Sequence, residues 1–109
     1  MNEIETVLAA MGYTPAEDAE GYWHPPAQPF VWVHARMHVD AAFVEKHLLP
    51  WLHSKGVSWA ISQNPDIGSD VWVSLIAHRA ALLTERADTL TEAVLKAVAQ
   101  AVDAGWFAE

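Results

Sequence analysis

The chain has 109 residues, enough for one hydrophobic core and too few for two. Hydrophobic residues make up 52% and charged residues 18%, which excludes intrinsic disorder. The formal charge of −8, from 14 acidic against 6 basic residues, argues against a partner whose phosphates must be neutralised by Lys and Arg. Cysteine is absent, so disulfides, thiolate catalysis and Cys-bearing zinc sites are excluded. The start, Met1-Asn2-Glu3-Ile4-Glu5, lacks the basic and apolar regions of a signal peptide, and no apolar run approaches the roughly 20 residues of a membrane span. A cytoplasmic location is expected. Six Trp is the unusual count.

Residues 2–11 place Ile4, Val7, Leu8 and Met11 at the spacing of a helix with one buried stripe. Asn2 with Glu5 fits a cap at its start, and Gly12 suits the left-handed position past its end. Residues 13–21 carry Pro15 and the acids Glu17, Asp18 and Glu20 without a period, the pattern of a negatively charged loop. Tyr22, Trp23 and His24 predict a brief edge strand, stopped by Pro25, Pro26 and Pro29, which donate no ladder hydrogen bonds. Residues 30–39 then alternate and predict a full strand, with Val31, Val33, Ala35, Met37 and Val39 on one face and Trp32, His34, Arg36 and His38 on the other.

Asp40 can cap a second helix in which Ala41, Val44, Leu48, Trp51 and Leu52 line the buried side, closed by Lys55 and Gly56. Pro50 falls inside it, where a regular helix loses about 3 kcal/mol, so the last turn is expected to be bent or tightened. Residues 57–62 and 71–79 alternate, with Val71, Val73, Leu75 and Ala77 inward, and Asn64-Pro65-Asp66-Ile67-Gly68-Ser69-Asp70 joins them as a hairpin turn. Residues 80–87 fit either a longer strand or a helix start and are read as a connection. Thr89 and Glu92 stand at capping-box spacing ahead of Leu90, Val94, Ala97, Val98, Ala101 and Val102, a third helix ended by Gly105. The order helix, strand, strand, helix, strand, strand, helix predicts one α+β domain over residues 1–109. Its expected form is a mostly antiparallel four-stranded sheet with three helices packed on it, one parallel pairing being permitted across residues 40–56.

The histidines, His24, His34, His38, His47, His53 and His78, raise the question of a metal. His34 and His38, four apart on a strand rising about 3.3 Å per residue, stand about 13 Å apart, too far to share a zinc ion held at about 2 Å from each nitrogen. His78 on a neighbouring strand leaves open a site of two His and a carboxylate. Segment 64–70 lacks the acid spacing and terminal Glu of a calcium loop. No Gly-rich phosphate cradle, nucleophile elbow or His-Glu-x-x-His helix occurs, and no serine has a local His and acid to activate it. Neither catalysis nor a cofactor is expected.

Trp51 and Trp59 read as core rings. Trp32 and Trp72 fall on the opposite faces of their strands from the valines, so they are either covered by a second helical layer or exposed. Trp23 and Trp106 stay ambiguous. An exposed cluster of Trp32 and Trp72 beside His34, Arg36, His38 and His78, with Phe43 on the outer side of the second helix, forms a candidate protein-binding patch.

The second half of the chain resembles the phage ABA sandwich domain family of small phage and prophage proteins. The likeness lies in residues 41–55 as a helix, Gly56-Val57-Ser58-Trp59-Ala60-Ile61 as the strand after it, Val71-Trp72-Val73-Ser74-Leu75 as the returning strand, and Asp88-Thr89 opening an Ala-rich last helix. Met11-Gly12-Tyr13 resembles the end of that family's first helix, while residues 80–87 and the Pro-rich turn depart from its pattern. The resemblance implies helices around a sheet and a phage or prophage origin, and it carries over no catalytic residue.

Small size, acidity, surplus aromatics and the lack of a catalytic motif point to an accessory protein of phage type that binds a host protein or protein complex. A nucleic-acid-binding defence machine, inhibited as anti-CRISPR proteins do, fits this expectation, with no direct contact to nucleic acid or membrane. Glu17, Asp18, Glu20, Asp66, Asp70, Glu85 and Asp88 would steer it to a basic surface, each being otherwise a solvated loop charge. Charging all six histidines moves the net charge from −8 to −2, so acid should weaken such a contact. Two alternatives stand beside this one. One is a small metal-dependent hydrolase using His34, His38 and His78; the other is an assembly component that forms a homodimer through Trp106, Phe107 and Phe43.

Overall fold

Helix α1 (Glu3–Ala10) begins on the Asn2 cap, whose Oδ1 accepts the Glu5 N–H at 2.9 Å, and it buries Val7 and Leu8 completely. These contacts belong to a computed structural model, which describes residues 2–63, 70–77 and 82–107 of the chain. Gly12, at φ +95°, turns the backbone where an L side chain would be strained. The chain then enters a small antiparallel sheet of order β1 (Thr14–Pro15), β2 (Tyr22–His24) and β3 (Val33–His34). Thr14 pairs with His24 and Tyr22 with His34, so β2 is central, and Trp23 is its buried side chain.

Two expectations change here. Residues 14–15 join a sheet although the segment reads as loop, and the strand expected over residues 30–39 shrinks to Val33–His34. A helical turn, α2 (Ala35–His38), follows directly. The cause is the partner: β2 has only three residues to pair with. The Ala35 N–H donates to the Gly21 carbonyl at 2.9 Å, and the Val39 N–H then bonds back to Ala35 at 3.1 Å. Alternation cannot hold a strand whose N–H and C=O groups have no neighbour.

Asp40 caps α3 (Ala41–Phe43), its Oδ1 accepting the Phe43 N–H at 2.9 Å. The helix continues through a π turn, Val44–Leu48, into α4 (Leu49–Ser54). The Leu49 N–H reaches five residues back to the Val44 carbonyl, and Pro50 then stands in the opening turn of α4, where proline is best tolerated. The helix is therefore widened before Pro50, where a bend or tightening is expected. Val44, Leu48 and Leu52 are buried as their spacing predicts, but Phe43, at 2% exposure, joins them and Ala41 faces solvent.

A second antiparallel sheet has the order β4 (Ser58–Gln63), β5 (Val71–Ile76), β6 (Leu82–Ala87). Two three-stranded sheets thus replace the single four-stranded one, and no parallel pair occurs among the described residues. The α+β character stands. Strand β6 arises from the segment read as a connection. Its pattern is masked because Glu85, paired with Val73 on the inner face, accepts a hydrogen bond from Gln100 of the last helix. That helix, α5 (Leu90–Asp103), is capped by Thr89, whose Oγ1 accepts the Glu92 N–H at 3.2 Å. It lies on β5 and β6 and also against α1, so Ala93, Val94, Leu95, Ala97, Val98, Ala99 and Ala101 are all buried. Leu90, expected on its buried stripe, is largely uncovered in the first turn. Leu8, Leu48, Leu52 and Leu75 complete the core, each burial contributing about 1.5–3 kcal/mol.

Candidate functional site

Period-two geometry in β2 places Tyr22 and His24 on the face opposite buried Trp23. Trp32, just before β3, joins them: its ring lies 5.2 Å from His24 at 84° and 6.3 Å from Tyr22 at 58°. The Trp32 side is half uncovered, at 50% exposure. His24 Nδ1 donates to the Val31 carbonyl at 2.9 Å; since that oxygen only accepts, the proton sits on Nδ1 and the ring is held in place. Exposed Glu17 and Asp18, from the loop between β1 and β2, line a cavity of about 350 Å³ together with Thr14, Pro15, His24 and Trp32.

Tyr22 also stands edge-on to His34, with centroids 5.1 Å apart at 86°. Glu20, Tyr22, His34 and Arg36 line part of a second cavity of about 510 Å³. His34 Nδ1 is buried without a hydrogen-bond partner. Its Nε2 lies 3.2 Å from where a Cβ on Gly21 would stand, and Gly21 has φ +82°. Of the residues placed on one polar strand face by the sequence, Trp32, His34 and Arg36 thus remain neighbours around sheet β1-β2-β3.

His38 belongs to a different cluster. Its Nε2 and the Tyr13 hydroxyl share a hydrogen bond of 3.2 Å, and its ring lies 5.1 Å from Phe43 and stacks at 6.4 Å on His47. Burial and the neighbouring His47 hold its pKa below the ordinary value, against an upward pull from Asp40. Burial raises the Tyr13 pKa. Phe43, expected at the surface, is core. Among the described residues no three His, Asp or Glu side chains converge to hold a metal ion, and His78 and Asp66 lie outside the described residues.

Trp72 is exposed on the outer face of β5, beneath the Arg86 guanidinium. Trp32 and Trp72 are both exposed, Trp32 just before β3 of the first sheet and Trp72 on β5 of the second. Asp88 is exposed like Glu17, Asp18 and Glu20, whereas Glu85 bonds with Gln100 and Asp70 lies 3.9 Å from Arg86. Phe107 packs on Trp51 at 4.7 Å, and both Trp106 and Phe107 are half-buried against the core. Val31 and Met37, which the alternation places inward, are exposed, Met37 at 80%, and so is Phe30, which opens the alternating segment, at 94%. Nothing in the sequence separates them from core positions, whereas Tyr22 and His24 are legible once Trp23 is taken as buried.

No protein-family model, curated protein or solved structure matches the chain.

Proposed function

We propose that the chain acts by binding a protein, using the aromatic and acidic face around Trp32. The observation that carries this reading is the placement of half-exposed Trp32 against Tyr22 and His24, on the same cavity as Glu17 and Asp18. Large rings anchor protein interfaces, and carboxylates at their rim steer the encounter toward a basic surface. The net charge of −8 extends that steering over the whole molecule. A basic surface that ordinarily holds nucleic acid, on a host protein complex, is the partner of matching chemistry. Occupying it makes the chain an inhibitor of the kind carried by phages and prophages, in line with the family it resembles.

The test is affinity capture from host lysate with the wild type, Trp32→Ala and the double variant Glu17→Gln/Asp18→Asn. A partner recovered by the wild type, lost with Trp32→Ala and weakened by salt and by the double variant supports the reading. Recovery of no partner, or of one indifferent to these changes and to salt, refutes it.

A further inference from the structure

The cavity beside Trp32 combines two kinds of wall. Among its lining residues the Trp32 and His24 rings meet almost perpendicularly, at 84° and 5.2 Å between centroids. Glu17 and Asp18, both exposed, line the same cavity. No basic Lys or Arg side chain lines it, and the one ring proton of His24 that is fixed is directed at Val31. The lining therefore combines aromatic rings with acidic residues and no Lys or Arg. Its volume of about 350 Å³ suits the head of one side chain and lies at the small end of the range, about 300–1,000 Å³, that holds whole ligands.

We propose that this cavity receives a guanidinium group, the arginine side chain of a protein partner; this inference rests on the binding role given to the same face. A guanidinium is planar and weakly hydrated, so it can stack on an indole while its N–H groups donate to carboxylates. Cation–π attraction is strongest at Trp. An ammonium has the charge without the flat face, and a neutral side chain has neither.

The probe is N-acetyl-arginine amide, titrated into the full-length ¹⁵N-labelled chain and followed by the indole N–H signal of Trp32, assigned by its absence in Trp32→Phe. N-acetyl-citrulline amide, nearly the same shape without the charge, is the control. Arginine amide should shift the Trp32 indole and the Glu17 and Asp18 amides saturably, and citrulline amide should not. Glu17→Gln/Asp18→Asn, changed only at exposed positions, should weaken the response about tenfold, as loss of a charge-assisted contact does. No arginine-dependent shift at Trp32, or a shift undiminished in the double variant, overturns the proposal. An equal response to citrulline overturns the guanidinium assignment alone and leaves the protein-binding role to the capture experiment.

Discussion

The Arg86 guanidinium carbon lies 5.4 Å from the centre of the Trp72 ring, directly across the β5–β6 ladder, where Trp72 and Arg86 are paired residues. With Asp70 3.9 Å away, Arg86 bridges a ring and a carboxylate on the uncovered face of the second sheet. At an exposed site a cation–π pair is worth about 0.5–1 kcal/mol, and a surface ion pair about 0–1 kcal/mol. A double-mutant cycle of Arg86→Ala and Trp72→Ala in urea denaturation should therefore give a coupling of about 0.5–1 kcal/mol. Asp70→Ala should cost less and lose its effect in high salt. Zero coupling would mean that Arg86 only overlies the ring.

Pro50 supplies a prediction of opposite sign to the one a regular helix gives. In a helix interior, replacing proline by alanine regains about 3 kcal/mol. Here the π turn Val44–Leu48 runs into α4, and Pro50 sits in the first turn of α4, the part of a helix that best tolerates proline. Pro50→Ala should destabilise by about 0.4–1 kcal/mol, through the greater freedom of the unfolded chain. A gain of stability in chemical denaturation would contradict this account of the wide turn.

What was legible in the sequence divides along the range of the forces involved. Asn2, Asp40 and Thr89 cap three helices because each bonds an N–H three residues away, an interaction contained within four residues of sequence. The limits of a strand depend on what lies beside it, and the alternation over residues 30–39 could not show that β2 ends after three residues. Phe43 is core because its ring packs on Tyr13 and His38, thirty and five residues away in sequence, contacts that a helical period cannot show. In β6, Glu85 on the inner face broke the pattern because its partner, Gln100, is fifteen residues away. Within the candidate site, Trp32 and the acids were legible as candidate residues, but the exposure of Trp32 was open in the sequence and its place on one cavity with the acids depends on the pairing of β2 with β1 and β3.

Gly21 and Gly56 allow strain to be separated from contact. Both have positive φ, +82° and +76°, but a Cβ on Gly21 would stand 3.2 Å from His34 Nε2, while one on Gly56 meets nothing within 4 Å. Gly56→Ala should cost about 1–2 kcal/mol from the left-handed backbone alone. Gly21→Ala should cost more and should also shift the His34 ring signals, since that ring must move. Equal losses, with His34 undisturbed, would show that the close approach at Gly21 is not felt.

His38 gives the fold a pH dependence with a definite sign. Its folded pKa is lowered from the ordinary 6.5, first by burial and then by His47, with Asp40 opposing. The unfolded chain consequently binds a proton at a pH where the folded chain does not. Stability rises with pH wherever the unfolded state holds more protons, so this contribution is fully present above pH 6.5 and is lost as pH falls from there through the lowered folded value. Tyr13, which shares a hydrogen bond with His38, has its folded pKa raised from 10.0, so its contribution is complete below that pH and is lost as pH rises through the raised value. Lys46 lines the same concavity as His38, with His47 and Asp40. Urea denaturation of wild type and His38→Gln across this range should show the acid-side loss reduced in the variant, whatever the variant's absolute stability. NMR titration of the His38 ring should give a midpoint below 6.5. A midpoint at or above 6.5, or an acid-side slope unchanged in His38→Gln, would show that another group governs the acid sensitivity.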